Sequence, residues 1–368
     1  MIVTVQDVCR AIEEVFPLPL QESYDNSGLQ VGIPSDRVTG VLLTLDVTEQ
    51  VVEEAIKKGY NFILAHHPLL FRGLKRITGA TYEERAVVLA LRNGIAIYAA
   101  HTNLDNHPDG LNHYWAKELG LVNLRPVLPM EGQYCKVQVY VPQSHAQKVR
   151  EAMAESGWGK QGLYDVCSFT HTGEGRFRAL DGANPFCGSP GEIHTEPEEA
   201  ISTVVPRIFL HEGVKRIKAV HPYEEVAMDI LPLETSFSSY GAGIVGDFPE
   251  EMPLEEVWNL LKSSNENIKQ IAHSHPIKTK IRKVALCGGS GAFLLKHAIR
   301  ANADIFITGE AKYNDYLDAK ESIVLATIGH YESEMIALKC FKEVISQKFS
   351  NFALCFSERN QNPIHYIH

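Results

Sequence analysis

Along this chain, short runs that are apolar throughout alternate with stretches whose apolar residues fall three and four apart. The first kind reads as buried strands and the second as amphipathic helices. Residues 3–16 place Val5, Val8, Cys9, Ile12, Val15 and Phe16 at helical spacing, with Thr4 or Asp7 as a cap and Pro17 and Pro19 as a stop. Val41 to Leu45 is an apolar strand. After it, Asp46 and Thr48 offer caps, Val51, Val52, Ala55 and Ile56 form a helix face, and Gly59 stands where a helix stops. A second strand, 61–65, follows. This β-α-β unit predicts parallel strands and a right-handed crossover. The pattern repeats with a helix over Glu83 to Arg92, a stop at Asn93-Gly94 and a strand over Ile95 to Ala100.

From about Pro126 the pattern changes. Lys136 to Val141 alternates like a half-exposed strand, and Gln143 to Ser156 is an amphipathic helix. A strand over Tyr164 to Thr170 comes next, then a Gly- and Pro-rich hairpin or flap over 173–198. A strand (Ala200 to Val205), a helix (Arg207 to Ile217) and a closing strand (Val226 to Leu231) complete it. That order is the split β-α-β, or ferredoxin-like, pattern. After Pro232 the first pattern returns, with a helix over Leu254 to Leu261 and strands over Val284 to Cys287, Asp304 to Thr308 and Ile323 to Ile328. A helix runs on from Tyr331. The fold class predicted is α/β. Two related halves with mostly parallel sheets, 1–130 and 236–368, form a discontinuous core around an α+β ferredoxin-like insert, 131–235.

Composition narrows the chemistry. At roughly 100–200 residues per domain, 368 residues make two or three domains. No apolar run is long enough to span a membrane and no secretory leader is apparent, so a soluble, cytoplasmic protein is expected. The net charge of −10 disfavours nucleic acid as a partner. Seven scattered cysteines include no Cys-x-x-Cys pair, which fits buried thiols in a reduced compartment. The sixteen histidines are the richer ligand pool.

The predicted strands end in ligand-type residues. Strand 61–65 delivers His66-His67-Pro68, Ile95 to Ala100 delivers His101 and Asp105, and Ile323 to Ile328 delivers His330, with Glu334 four residues on along a helix. Open parallel sheets form sites at that edge. His66, His67, Asp105, His330 and Glu334 make three imidazoles and two carboxylates, a set for zinc, iron, manganese or cobalt. Five side chains exceed one catalytic zinc and suit two ions if a carboxylate bridges them. His101 is read as orienting a ligand or contacting substrate. Glu310 reads either as a proton shuttle or as a helix-start carboxylate, and Tyr313 follows it at the same edge. Adjacent residues of a regular strand point to opposite faces. His66 and His67 can both reach metal only if the strand stops at Ala65 and the chain turns at Pro68, each then holding a different ion.

Other polar stretches keep two readings each. Tyr24 to Gly32 is a turn or a pocket-lining loop. His221-Pro222-Tyr223-Glu224-Glu225 is a brace or a ligand contact, and Gly288-Gly289-Ser290-Gly291 is a tight turn or an anion cradle. Tyr240 to Gly246 matches G-x-G-x-x-G but lacks the preceding strand and following helix of a dinucleotide site.

The motifs Asp25-Asn26-Ser27-Gly28-Leu29-Gln30-Val31-Gly32, His66-His67-Pro68, His101-Thr102-Asn103-Leu104-Asp105, Thr308-Gly309-Glu310 and Gly329-His330-Tyr331-Glu332-Ser333-Glu334 together resemble the NIF-three-like family. Its bacterial members are often labelled GTP cyclohydrolase I type 2 homologs. The resemblance implies two divalent metal ions per subunit, zinc favoured and iron or manganese possible, on His66, His67, Asp105, His330 and Glu334, with Glu334 as the bridge. It also implies a homohexameric ring, a trimer of dimers, and a PII/CutA-like inserted domain. The function expected is a metal-dependent hydrolase acting through a metal-bound hydroxide on a nucleotide-like or small substrate, GTP by the family label. Arg72, Lys75 and Arg76 are the nearest candidates for phosphate. The competing expectation is a non-catalytic metal-binding regulator whose insert senses a small molecule or partner.

Overall fold

The computed structural model describes residues 2–234, 239–350 and 352–366. The chain divides into two compact units, Met1–Pro129 with Ser239–His368, and Met130–Ser238. The boundary expected at 235/236 lies outside the described residues.

Two sheets build the first unit. One runs Gly28–Val31, Ala96–Ala99, Phe62–Ala65, Val41–Thr44, Leu354–Phe356, parallel except at the Gly28–Val31 edge. The Val41–Thr44, Phe62–Ala65 and Ala96–Ala99 strands are buried throughout, which is why their sequences are apolar on both faces. Local signals set the elements between them. Thr4 and Asp7 form a reciprocal capping box on the helix Val5–Val15. Thr48 caps Glu49–Lys58, and Gly59 ends it in the left-handed conformation.

The other sheet runs Ala272–His273, Val324–Thr327, Ile305–Thr308, Lys280–Cys287, Gly241–Pro253, Val122–Pro129. Only its three central strands are parallel to one another. The expectation of mostly parallel sheets is therefore corrected to a mixed α/β architecture. Two long antiparallel strands, Gly241–Pro253 and Val122–Pro129, extend this sheet without helical crossovers. The G-x-G-x-x-G match lies on the first of them, as a strand and not as a strand-to-helix turn. One hydrophobic core joins the two halves, with Phe62 and Tyr98 from the first sheet and Ile305 and Val324 from the second in the same cluster.

Two further boundaries move. The second half of the Tyr24 to Gly32 loop is the edge strand Gly28–Val31. The single helix expected from Tyr331 is two, His330–Glu334 and Ala337–Lys348, because Leu338 and Lys339 bond three residues back, to Met335 and Ile336, and tighten the turn there.

In the second unit, four antiparallel strands run in the order Phe169–Arg178, Ile193–Pro206, Tyr134–Pro142, Met228–Pro232, with the helices Ala146–Glu155 and Leu210–Val220. The strand expected at Tyr164 to Thr170 begins only at Phe169 and runs on to Arg178, where it pairs antiparallel with Ile193–Pro206, so 173–198 is the hairpin of the two readings. Gly173 and Gly175 interrupt its apolar pattern. A Cβ at Gly175 would stand 2.3 Å from the Glu198 carboxyl on the neighbouring strand, so the glycine makes room for that side chain. His221 braces this unit: its Nε2 is 2.9 Å from the Tyr140 carbonyl and its Nδ1 accepts from the Tyr223 amide at 3.1 Å.

Candidate metal centre

Strand Phe62–Ala65 stops at Ala65, yet the His66 and His67 amides still donate to Thr44 and Leu45 carbonyls, at 3.1 and 2.9 Å. The backbone is thus held while it bends, and both rings reach one side, their centroids 5.1 Å apart. Beyond Ala96–Ala99, His101 precedes the single helical turn Thr102–Asp105, which returns Asp105 toward the same point. From the second sheet, Gly329 precedes the helix His330–Glu334 at φ 98°, and any Cβ there would meet the Glu332 carboxylate at 1.9 Å.

All four imidazoles are anchored through Nδ1. The partners are the Ala100 carbonyl for His66 (2.9 Å), Asp46 for His67 (2.9 Å), Asp25 for His101 (2.8 Å) and Glu310 for His330 (3.3 Å). A hydrogen bond at one ring nitrogen fixes the tautomer and aims the other nitrogen. For His66, His67 and His330 that other atom, Nε2, faces the carboxylates. His66 Nε2 is 3.8 Å from both Asp105 Oδ1 and Glu334 Oε1. His67 and His330 Nε2 lie 2.8 and 3.0 Å from Glu334 Oε2. Ligand atoms of His67, His330 and Glu334 lie within 4.8 Å of one another, and so do those of His66, His67 and His101. His101 therefore stands inside the cluster rather than behind it.

Three buried atoms here, His66 Nε2, Asp105 Oδ1 and Glu334 Oε2, have no hydrogen-bond partner among the described residues. Buried polar atoms are nearly always paired, and unpaired nitrogen and oxygen atoms this close to one another are what an ion would satisfy. The nitrogen and oxygen donors are of the kind that zinc, iron or manganese accepts. The residues fit a metal.

Burial opposes charge on these groups, and their mutual attraction outweighs it. His67 is pushed up to about 10 by Asp46 and Glu334, His330 to about 9 mainly by Glu334, and His66 is raised as well. Glu334 is held well below the usual carboxylate range by its three imidazoles, whereas burial raises Asp105.

Glu310 accepts a hydrogen bond from Ser290 and sits against His330; these contacts hold its carboxyl below the ordinary value. The next helix starts only at Tyr313, capped by Lys312, so Glu310 is not a helix-start carboxylate. Tyr313 faces solvent. The glycine turn Gly288 to Gly291 is not open to an anion: its amides donate to Asn112 (2.9 Å), Ser333 (2.9 Å) and Thr308 (3.0 Å). Sequence reasoning overlooked Asp46 and Asp25 as supports. Asp46 lies one residue past the apolar run Val41 to Leu45, so the strand-end rule that found the histidines also reaches it. For Asp25 the signal was the polar run Asp25-Asn26-Ser27, which allowed a pocket-lining loop without naming His101 as its partner.

Fold and site define a mixed α/β protein with His/Glu clusters able to hold a metal ion where two sheets meet. The chain belongs to the Duf34/NIF3 (NGG1p interacting factor 3) family, whose model matches residues 3–363. It is 33% identical over 367 residues to a Staphylococcus epidermidis protein named GTP cyclohydrolase 1 type 2 homolog, covering 98% of this chain and 99% of that one. A Staphylococcus aureus protein of the same name is 33% identical over 368 residues, covering 99% and 100%. Among solved structures, a Bacillus cereus protein related to NIF3 superposes with a TM-score of 0.86 at 33% identity over 100% of both chains. A Staphylococcus aureus protein gives 0.75 at 30% identity over 99% of both. Among the described residues no helix is long and apolar enough to cross a membrane.

Proposed function

We propose that this chain is a dinuclear metal-dependent hydrolase acting on a small, nucleotide-like substrate. The observation that carries the reading is the meeting of His66, His67 and Asp105 from one sheet with His330 and Glu334 from the other, where His66 Nε2 and Asp105 Oδ1 are buried without a partner among the described residues. His66, His67, Asp105, His330 and Glu334 would hold the two ions. Two divalent ions, zinc favoured and iron or manganese admissible, would supply Lewis-acid polarisation and a nucleophile near neutral pH. The chain's own residues do the rest. Asp46, Glu310 and the Ala100 carbonyl hold the rings in the ligating tautomer. Asp25 holds His101 at the mouth, either as a further donor or against substrate. Glu310, ionised at neutral pH and half exposed, is the group that would accept a substrate proton.

Substrate class follows from the rim. Phe71 lies 6.1 Å from the His101 ring and 6.4 Å from Tyr24, and both aromatics are exposed. They offer a stacking surface to a planar base. Arg72, Lys75 and Arg76 follow on the same exposed loop and are the candidates to meet a phosphate tail. GTP, named in the relatives' description, is the first substrate to test. The same proposal takes unit 130–238 as a ferredoxin-like, PII/CutA-like insert, supported by its strand order, and the assembly as a homohexameric ring.

Elemental analysis of fully loaded protein should give about two metals per chain, with fewer in His66→Ala and Glu334→Gln. Zinc- or manganese-loaded protein should open GTP or cleave a phosphoester, and His67→Ala should abolish this. Fewer than two metals in saturated wild type would remove the dinuclear reading. Absence of any turnover, with His67→Ala indistinguishable from wild type, would remove the hydrolase.

A further inference from the structure

The second unit carries a cluster that the metal centre does not use. Residues of the strand Ile193–Pro206 alternate: Ile193, Thr195 and Pro197 are exposed, while His194, Glu196 and Glu198 turn to the covered face. Three charged or ligating side chains in a row on the covered face of a strand are unusual for a packed core. The loop between Arg178 and Ile193 folds over them and sets Cys187 beside the row. Gly188 permits this close pass, at φ 78°, since a Cβ there would sit 2.8 Å from His194. His194 Nε2 is 2.9 Å from Glu196 Oε2, and one ligand atom each from Cys187, His194 and Glu196 lies within 4.8 Å of the others. Phe177, directly across the strand pair, packs edge-on against the His194 ring at 5.5 Å.

From this geometry we propose that Cys187, His194 and Glu196 form a second metal site, for one divalent ion of the zinc class. Sulfur, nitrogen and oxygen from three residues are the mixed donor set of a borderline ion, and magnesium or calcium would not take the thiolate. Three protein ligands leave a coordination position for an exogenous group. A cavity of about 450 Å³ adjoins the cluster through Tyr223, whose ring lines it. The Tyr223 hydroxyl donates to Glu198 at 2.7 Å and lies 3.9 Å from Cys187 Sγ. The cavity lining mixes Arg176 and Arg178 with Glu198, Glu224 and Glu225 and the rings of Phe177 and Phe186.

Cobalt(II) separates this site from the first, which contains no sulfur. Metal-stripped full-length chain titrated with cobalt should develop a near-ultraviolet thiolate-to-cobalt charge-transfer band that zinc then bleaches. The band should persist in Glu334→Gln and vanish in Cys187→Ser. In His194→Asn, which keeps the thiol, half-saturation should shift by at least about ten-fold. No band at saturating cobalt, a band that survives Cys187→Ser, or unchanged half-saturation in His194→Asn overturns the proposal. None of these readings depends on whether the first site is dinuclear or catalytic.

Discussion

Asp25→Asn tests how the centre is held, because Asp25 touches none of the five ligands first expected from the sequence. Its Oδ1 accepts from the Asn26 amide at 2.7 Å and faces His101 Nδ1 at 2.8 Å. Its Oδ2 accepts from the Thr102 amide at 3.0 Å, from the Thr102 hydroxyl and from Ser27 Oγ at 3.1 Å. Only a carboxylate accepts on both sides. An asparagine has one oxygen, and each way of placing it fails. With the oxygen toward His101, the amide NH₂ meets the Thr102 N–H and leaves a buried donor unpaired, at a cost of about 1–3 kcal/mol. Flipped, the NH₂ donates to His101 Nδ1, which moves the ring proton to Nε2 and takes away its lone pair. Stability should therefore fall by about 1–3 kcal/mol, lowering the first unit's melting temperature by a few degrees. Metal affinity should drop about 10- to 100-fold, the usual effect of losing an orienting partner. Calorimetric melting of metal-free protein and a chelator-competition titration read the two effects separately. A variant that melts within about 1 °C of wild type and binds metal as tightly would refute the account of the anchored imidazoles.

Three other outcomes are expected. Gly289→Ala puts a methyl 2.2 Å from Glu334 Oε1, at a position whose φ is 59°, so elemental analysis should find it short of metal and folding should cost about 1–3 kcal/mol; a full metal complement would count against Glu334 as a ligand. Asp304 is buried, which alone would raise its pKa, but Lys278 and the Lys283 and Arg282 amides hold it below the ordinary carboxylate value. Its stabilisation is therefore present above the unfolded value near about pH 4 and is lost as pH falls through the lower folded value. Denaturant midpoints of Asp304→Asn should thus lie well below wild type at neutral pH and converge with it toward about pH 2, and a gap independent of pH would contradict this. Asn112→Ala removes an acceptor from the Gly288 amide and a donor from the Asp105 carbonyl, at 2.9 and 3.0 Å. It should destabilise by about 1–3 kcal/mol and weaken metal binding as well, and an effect on stability alone would show that Asp105 does not need the brace.

How far the sequence could be read depended on whether a signal was local. The strand Phe62–Ala65 was legible because it is buried on both faces and so must be apolar throughout. The helix Val5–Val15 was legible because its capping box is a four-residue pattern. Leu354–Phe356 escaped because three residues carry no period, and its partner Val41–Thr44 lies some three hundred positions away. Val122–Pro129 was hidden by Pro126 and Pro129, which argue against a strand. They are tolerated there because this is the edge of its sheet, where one side of the backbone has no ladder to complete. Of the site, His66, His67, Asp105, His330 and Glu334 were readable by one rule, that ligand-type residues sit at strand ends. Of the anchors, Asp46 and Glu310 fall under the same rule, whereas Asp25 bonds to a ring nitrogen 76 positions away, a pairing that its own neighbourhood does not name.

The same topology explains why neither half of the core could hold this cluster alone. His66, His67, His101 and Asp105 come from the first sheet, His330 and Glu334 from the second. Glu334 is nearly fully buried with two oxygens facing donors of the opposite half, so its position is fixed by packing that both halves must complete. Two polar links span the same seam. Trp115 Nε1 donates to the Ser333 carbonyl at 2.6 Å, one residue before Glu334, and Asn112 ties the Asp105 backbone to the glycine turn of the second half. Asp105 and Glu334 are therefore positioned by contacts independent of any ion. The donors are set before metal arrives, and the ordering entropy of bringing two sheets together has already been met by the shared core. An ion entering this site replaces the imidazole protons that Glu334 attracts and pairs the atoms left without partners, so it meets a cluster already assembled instead of organising the fold. Removing metal should accordingly leave the secondary structure intact while lowering the melting temperature, in contrast to a small metal-folded module that unfolds when stripped.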